Sequence, residues 1–160
     1  MAVSGHRLIL FILFMLVVLS LVTAAGLILL AHGILRPPRM SDGKAVYVLK
    51  RLSPADLEMQ YESITYEVRD ERSGGMLNIA GWWIPHPVGG SKTVVLLHGY
   101  ADAKVGAIAW APVWRQLGYH ILAIDLRAHG ESGGVYSTGG YFERHDVDQV
   151  INQVRAAHPQ

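Results

Sequence analysis

The hydrophobic pattern of the chain begins with a long apolar segment near the N-terminus. Residues 8–31 contain no charged side chain over 24 positions. As a helix this run would reach about 36 Å, more than the roughly 30 Å hydrocarbon core of a bilayer. A cleaved signal peptide is the alternative, because Arg7 precedes the run and small residues occur at positions 23–26, but signal cores usually span only about 7–15 residues. The pattern predicts a transmembrane helix over residues 8–32, after an N-terminal tail of residues 1–7.

Charges on the two sides of this segment predict its orientation. One basic residue, Arg7, precedes it, whereas five basic residues follow it closely. Because positive charge stays on the cytoplasmic side, we expect a single-pass membrane protein with the lipid bilayer as a partner and the rest of the chain in the cytoplasm. The basic residues that follow are Arg36, Arg39, Lys44, Lys50 and Arg51.

Residues 33–61 have the pattern of a linker. The run Arg36-Pro37-Pro38-Arg39 cannot continue a helix, because proline lacks the backbone donor that a helix interior needs. The positions that follow are mixed and largely polar. One short helix is predicted there, near residues 54–60.

From residue 63 the pattern changes to that of a sheet. Apolar and polar positions alternate over residues 63–69, which is typical of a half-buried strand. A glycine-containing turn and a second strand at 77–84 predict an antiparallel hairpin. Two continuous apolar runs, at 93–97 and 120–124, predict strands that are covered on both faces.

Two helical segments alternate with the buried strands. Residues 103–117 have a helical pattern, with a break predicted at Pro112. Residues 142–157 form an amphipathic helix. Strands that alternate with helices in this order favour an α/β domain with parallel central strands, which we place at residues 62–160.

Composition and charge exclude several classes of function. The chain has no cysteine and a formal net charge of +1. It therefore lacks thiolate metal ligands, and it lacks the basic excess that accompanies nucleic-acid binding. Four scattered histidines, His6, His32, His86 and His158, show no metal-ligand spacing, and no phosphate-binding glycine loop is present. We predict no cofactor, no metal site and no nucleic-acid partner.

One segment matches the serine-hydrolase nucleophile pattern G-x-S-x-G, at Gly130-Glu131-Ser132-Gly133-Gly134. A true nucleophile lies on a sharp turn directly between a strand and a helix. Here four residues separate the strand end at Asp125 from Gly130, and a glycine-rich turn follows instead of a helix. We predict that Ser132 is not the nucleophile.

Two motifs that follow the buried strands are more specific. His98-Gly99-Tyr100 comes after the first strand, and Asp125 to Ser132, DLRAHGES, comes after the second. Together they resemble the α/β-hydrolase superfamily, and residues 63–160 are most similar to membrane-anchored members of its serine-aminopeptidase-like, lipase and esterase branch. The resemblance implies an α/β fold consisting of the first four strands and first two helices of the hydrolase sheet, preceded by a single transmembrane helix.

The resemblance also implies roles for individual residues. The backbone N–H of Tyr100 would belong to an oxyanion hole, and Gly99 would let the chain approach the substrate. His98 would shape the loop with its side chain. In the second motif the implied roles are structural: Asp125, Arg127 and Ser132 would hydrogen-bond within the loop and support the floor of the site, and Gly130 is a supporting residue of the motif.

In the family, the nucleophile follows a fifth strand, and the acid and the catalytic histidine come later still. We expect none of the three among these 160 residues, so the chain alone should be inactive, and residues 93–97 should form an exposed sheet edge. The predicted function is the N-terminal portion of a membrane-anchored serine hydrolase that acts on ester, thioester or small amide bonds. The alternative is a short non-catalytic membrane protein that uses the half-fold as an interaction module.

Overall fold

The computed structural model describes residues 5–90 and 92–158, which belong to two compact units. The first unit contains helix α1, Gly5–Leu35, which extends three residues beyond each end of the predicted span. No residue of α1 is buried, and the helix is long and apolar enough to cross a membrane, a property that signal sequences share.

The second unit, residues 36–160, contains a four-stranded sheet. Its strands are β1 (Glu62–Arg69), β2 (Met76–Ile84), β3 (Thr93–Leu96) and β4 (His120–Ile124), in the spatial order β1-β2-β4-β3. The hairpin β1–β2 is antiparallel, as predicted, and β2 pairs antiparallel with β4. Strands β3 and β4 are parallel, which confirms the predicted α/β architecture.

Side chains of the sheet alternate between two cores. Adjacent residues of a strand point to opposite faces, so Trp82 joins one core and Trp83 the other. The first core lies against the helices that follow β3. The second lies against α5, Glu143–Ala157, whose Val150 and Val154 are buried on the sheet. Covering both faces buries the apolar runs that the sequence predicted.

The helical segment between β3 and β4 is broken into three pieces. They are α3 (Lys104–Ala107), a 3₁₀ turn (Ile108–Trp110) and α4 (Ala111–Gln116). Pro112 stands in the first turn of α4, where its missing N–H is tolerated. The helical pattern predicted over residues 103–117 is therefore interrupted, as the proline indicated, and Pro112 begins a new helix with the first turn of α4.

The segment predicted as a linker contains more structure than its pattern suggested. Helix α2, Asp42–Leu49, was missed, and a 3₁₀ turn covers Pro54–Leu57 in place of the predicted short helix. The Ser41 hydroxyl accepts a hydrogen bond from the Lys44 N–H at 3.3 Å and caps α2. Ala45 of α2 is buried in the first core. The segment therefore packs as part of the second unit.

Arg39 joins this segment to the loop that follows β4. Its guanidinium donates to the carbonyl oxygens of His129, Gly130, Ser132 and Gly134, at 3.2, 2.5, 2.8 and 3.0 Å. Five planar donors on a rigid fork suit arginine to this multiple contact. Four carbonyls of one loop are thus held by a single side chain that lies about 90 residues earlier.

Strand β3 forms one edge of the sheet. Among the described residues it pairs with β4 alone, and three of its four residues are only partly buried. An apolar edge with unpaired backbone groups favours the addition of another strand.

Candidate functional site

The loops after β3 and β4 meet at one end of the sheet. Because the two strands are parallel neighbours, their carboxyl ends lie side by side, so the two predicted motifs come together. Ligands of open α/β sheets bind outside such strand ends. The structure therefore places residues 98–102 and 125–134 around one location.

The first loop forms a tight turn over Gly99–Asp102. The Asp102 N–H donates to the Gly99 carbonyl at 3.3 Å, and Ala101 adopts a left-handed conformation with φ of 59°. Tyr100 occupies the centre of this turn, and its side chain is 56% exposed. The turn thus places Tyr100 in the lining of a pocket.

Two buried histidines hydrogen-bond to this turn. The His98 ring donates from Nδ1 to the Gly99 carbonyl at 2.7 Å, and its Nε2 accepts from the Leu126 N–H at 2.9 Å. The His129 ring accepts from the Ala101 N–H at 3.2 Å and donates from Nδ1 to the Arg127 carbonyl at 2.9 Å. These partners fix both rings as neutral tautomers that connect the two loops. His129 was not singled out from the sequence.

Asp125 anchors the start of the second loop and is fully buried. Its carboxylate accepts from the Lys104 N–H and ammonium, both at 2.6 Å, and from the Glu131 N–H at 2.9 Å. The Lys104 ammonium also contacts Glu131 and lies 4.7 Å from the centre of the Trp82 ring. The burial of both charges is therefore offset by pairing and hydrogen bonding. The sequence did not reveal Lys104 as the partner of Asp125.

Arg127 differs from the expectation that it hydrogen-bonds within its own loop. Its guanidinium pairs with both carboxylate oxygens of Asp146 at 2.6 Å and with Asp70 at 2.9 Å. Asp146 lies in α5, and Asp70 lies in the turn between β1 and β2. The planar fork needs carboxylate partners, and folding brings them from distant parts of the chain. Arg127 thus ties the loop to the sheet and to α5.

Ser132 lies inside the framework of the second loop and is 1% exposed. Its hydroxyl donates to the Asp125 carbonyl at 2.6 Å and accepts from the Ala80 N–H at 2.9 Å. Gly130, with φ of 45°, lets the chain turn over the Asp125 carboxylate. Ser132 has no imidazole partner among its described hydrogen bonds, and its geometry is that of a structural hydroxyl.

A pocket of about 600 Å³ lies where the two loops meet the start of α5. Glu143 at its wall is buried and accepts hydrogen bonds from Ser137, Thr138 and Gly140. Burial opposes ionisation of this carboxyl, but the hydrogen bonds prevail and lower the pKa of Glu143. The pocket is lined by Leu97, His98, Gly99, Tyr100, Leu126, His129, Ser137, Gly139, Gly140, Glu143, Arg144, Val147, Asp148 and Ile151.

The described residues of the site lack a reactive hydroxyl. Among residues 5–90 and 92–158, no serine or threonine hydroxyl hydrogen-bonds to a histidine ring, and no cluster of three possible metal ligands occurs. The described part of the site is a pocket lined by the two loops and the start of α5. It does not itself contain the hydroxyl–imidazole pair that starts acyl transfer.

Comparison with known proteins identifies structures that are similar to this chain. In three crystal forms, an esterase of Pyrococcus furiosus matches 78–79% of this chain, with 29–32% identity and TM-scores of 0.58–0.60. The chain has the α/β-hydrolase fold. The uncharacterized protein YqkD of Bacillus subtilis is 27% identical over 79 residues, which are 49% of this chain and 25% of YqkD. No family model matches.

The chain spans less than half the length of the proteins that it matches. It covers 42–44% of the Pyrococcus esterase. Within the α/β-hydrolase fold, this extent agrees with the predicted N-terminal portion. The described residues therefore form a hydrolase-like fragment.

The buried ring of His98 makes the free energy of unfolding depend on pH. Burial lowers the pKa of His98, as does the adjacent His129 ring, and these effects outweigh the hydrogen bond to Gly99 and the attraction of Asp125 and Asp102. The unfolded chain binds the proton more readily, so this contribution to stability is present above pH of about 6.5 and is lost as the pH falls towards the lower folded pKa.

We expect the free energy of unfolding to fall between about pH 7 and pH 5 more steeply in the native protein than in a His98→Gln variant, whose amide oxygen can still accept from Leu126. Urea unfolding across this pH range, followed by near-ultraviolet circular dichroism, measures the two slopes. Because the other histidines are common to both proteins, the difference isolates His98. Parallel slopes would contradict the assignment.

Proposed function

We propose that this chain supplies the oxyanion-hole side of a serine-hydrolase site, and that the attacking serine and its base come from polypeptide other than the described residues. The observation that carries this proposal is the Gly99–Asp102 turn, which His98 and His129 hold at the pocket beside the second loop. The esterase likeness supports ester, thioester or small amide bonds as the substrates. On this proposal the chain alone is inactive.

A second part of the proposal concerns location. Helix α1 anchors the protein in a membrane, with residues 36–160 on the cytoplasmic side. The support is the length of α1, its uncharged run over residues 8–31, and the excess of basic residues after it.

The oxyanion role of Tyr100 can be tested by supplying the attacking serine and its base from another protein. A chimera would join residues 36–160 to the part of the Pyrococcus esterase that lies beyond the matched region. We expect it to hydrolyse a short p-nitrophenyl ester, and a Tyr100→Pro variant, which lacks the N–H donor, to lose about 10²–10³ in kcat. Tyr100→Phe keeps the donor and serves as the matched control.

Circular dichroism should first establish that both variants of the chimera are folded like their parent. Equal kcat values for the proline and phenylalanine variants would contradict the donor role. The unmodified chain provides a second control, because a fluorophosphonate probe should leave it unlabelled. Labelling at Ser132 would show that the attacking serine had been misidentified.

A second candidate function is an interaction module without catalysis, in which the open edge of β3 would be reserved for a partner protein. This candidate predicts a cooperative unfolding transition and a single monomeric species for the full chain in detergent. The hydrolase proposal predicts association through the uncovered strand. Light scattering coupled to size-exclusion chromatography distinguishes the two.

A further inference from the structure

Helix α2 exposes large apolar side chains. Its inner face packs through Ala45 and Leu49 against the first core. Apolar residues of α2 and of the segment after it are 45–79% exposed, and large exposed apolar side chains in such a group are typical of a contact surface. We use the name α2 surface for Val46, Tyr47, Val48 and Leu52, which are 48, 79, 58 and 45% exposed.

The α2 surface is flanked by positive charge. Lys44 lies within α2, and Lys50 follows its last residue; both are exposed. The Lys50 ammonium lies 5.3 Å from the centre of the Tyr47 ring. Asp42, in the first turn, is the acidic residue of the helix. A partner should therefore combine apolar material with negative charge.

An anionic bilayer surface has this combination. Helices that lie in a bilayer interface bury apolar side chains at the acyl boundary while lysines contact the headgroups, and tyrosine is enriched at that depth. A second copy of α2 would bring like charges together. Six residues separate Leu35 from Asp42, and they span at most about 20 Å. A bilayer crossed by α1 is therefore within reach of α2.

We propose that the α2 surface binds the anionic headgroup region of the bilayer that α1 spans. The proposal rests on the proposed anchoring by α1. The apolar side chains enter the interface, and Lys44 and Lys50 contact phosphate and carboxylate groups of the lipids. Binding should weaken with added salt, because exposed charges are screened.

The absence of cysteine permits a direct test on the full chain. Single cysteines at Val48→Cys, Leu19→Cys and Val88→Cys would each carry a polarity-sensitive fluorophore, in nanodiscs of phosphatidylcholine with or without phosphatidylserine. Position 19 reports on α1. Position 88 lies in the segment before β3, and Val88 is 89% exposed, so it serves as a control at an exposed loop of the second unit. Spin-labelled lipids then quench any fluorophore that lies in the bilayer.

We expect deep spin labels to quench position 19, shallow labels to quench position 48 most strongly with phosphatidylserine, and neither to quench position 88. Quenching at position 19 with equal, low quenching at 48 and 88 would overturn the surface proposal and leave the anchor standing. No quenching at position 19 would overturn both. A shielded fluorophore at position 48 without lipid quenching would indicate a protein partner and would also overturn the proposal.

Charge variants add a second, independent test. Each lysine near an anionic surface contributes about fivefold to binding, so Lys44→Gln with Lys50→Gln should lower the bound-to-free ratio at position 48 by more than about tenfold. Lys92→Gln with Arg155→Gln removes the same charge from exposed positions elsewhere and should leave quenching unchanged. An equal loss of quenching at position 48 in both double variants would mean that only net charge matters, and it would overturn the proposal of a specific α2 surface.

Discussion

Replacing Arg127 with methionine should destabilise the unit of residues 36–160 by about 3–5 kcal/mol. The substitution leaves the Asp146 carboxylate, which is 1% exposed, without the guanidinium that pairs with both of its oxygens. Asp70 loses a partner in the same change. Urea unfolding of the detergent-solubilised chain, followed by tryptophan fluorescence, measures the loss.

Two further variants identify the cause. Arg155→Ala removes an exposed arginine from the last turn of α5 and should change the stability by less than about 0.5 kcal/mol. Adding Asp146→Leu to Arg127→Met removes the unpaired charge and should recover part of the lost stability, since apolar replacements of a buried pair are often tolerated. If the double variant is no more stable than the single one, packing around Arg127 matters more than charge.

Gly130→Ala should cost more than about 3 kcal/mol. A Cβ at this position would meet the Asp125 carboxylate, which Lys104 and the Glu131 N–H hold in place. The left-handed backbone adds about 1–2 kcal/mol of strain for any residue with a side chain. The same unfolding experiment provides the measurement.

Gly139 offers a matched control for this substitution. It is also left-handed, with φ of 64°, but an added Cβ meets no atom within 4 Å. Gly139→Ala should therefore show the backbone strain alone, about 1–2 kcal/mol. Similar losses for the two alanine variants would mean that the Asp125 carboxylate yields, and that the second loop is less rigid than its contacts indicate.

Sequence patterns predicted most of the sheet because its signals are local. Alternation in β1 and continuous apolar runs in β3 and β4 follow directly from which faces are buried. Helix α2 was missed because eight residues with a glycine and two β-branched valines carry a weak helical signal. Its burial of Ala45 depends on tertiary contacts that no local pattern encodes.

The sequence also predicted only part of the candidate site. The two motifs and their convergence could be predicted, because parallel strands bring their carboxyl ends together. The partners of the motif residues could not. Asp146 pairs with Arg127 across 19 positions, and Lys104 pairs with Asp125 across 21. Such pairs depend on how α3 and α5 pack, and nothing in the spacing of the residues distinguishes them from solvated charges.

The contacts of Arg39 affect where the chain can be shortened for expression without helix α1. A version that starts at residue 62, where the sequence places the domain, would discard the guanidinium that four loop carbonyls accept from. The four carbonyl oxygens would then hydrogen-bond to water, and we expect the loop of residues 129–134 to become more mobile. A chain that begins at Arg36 keeps the hydrogen bonds of Arg39 and is the better starting point for crystallisation.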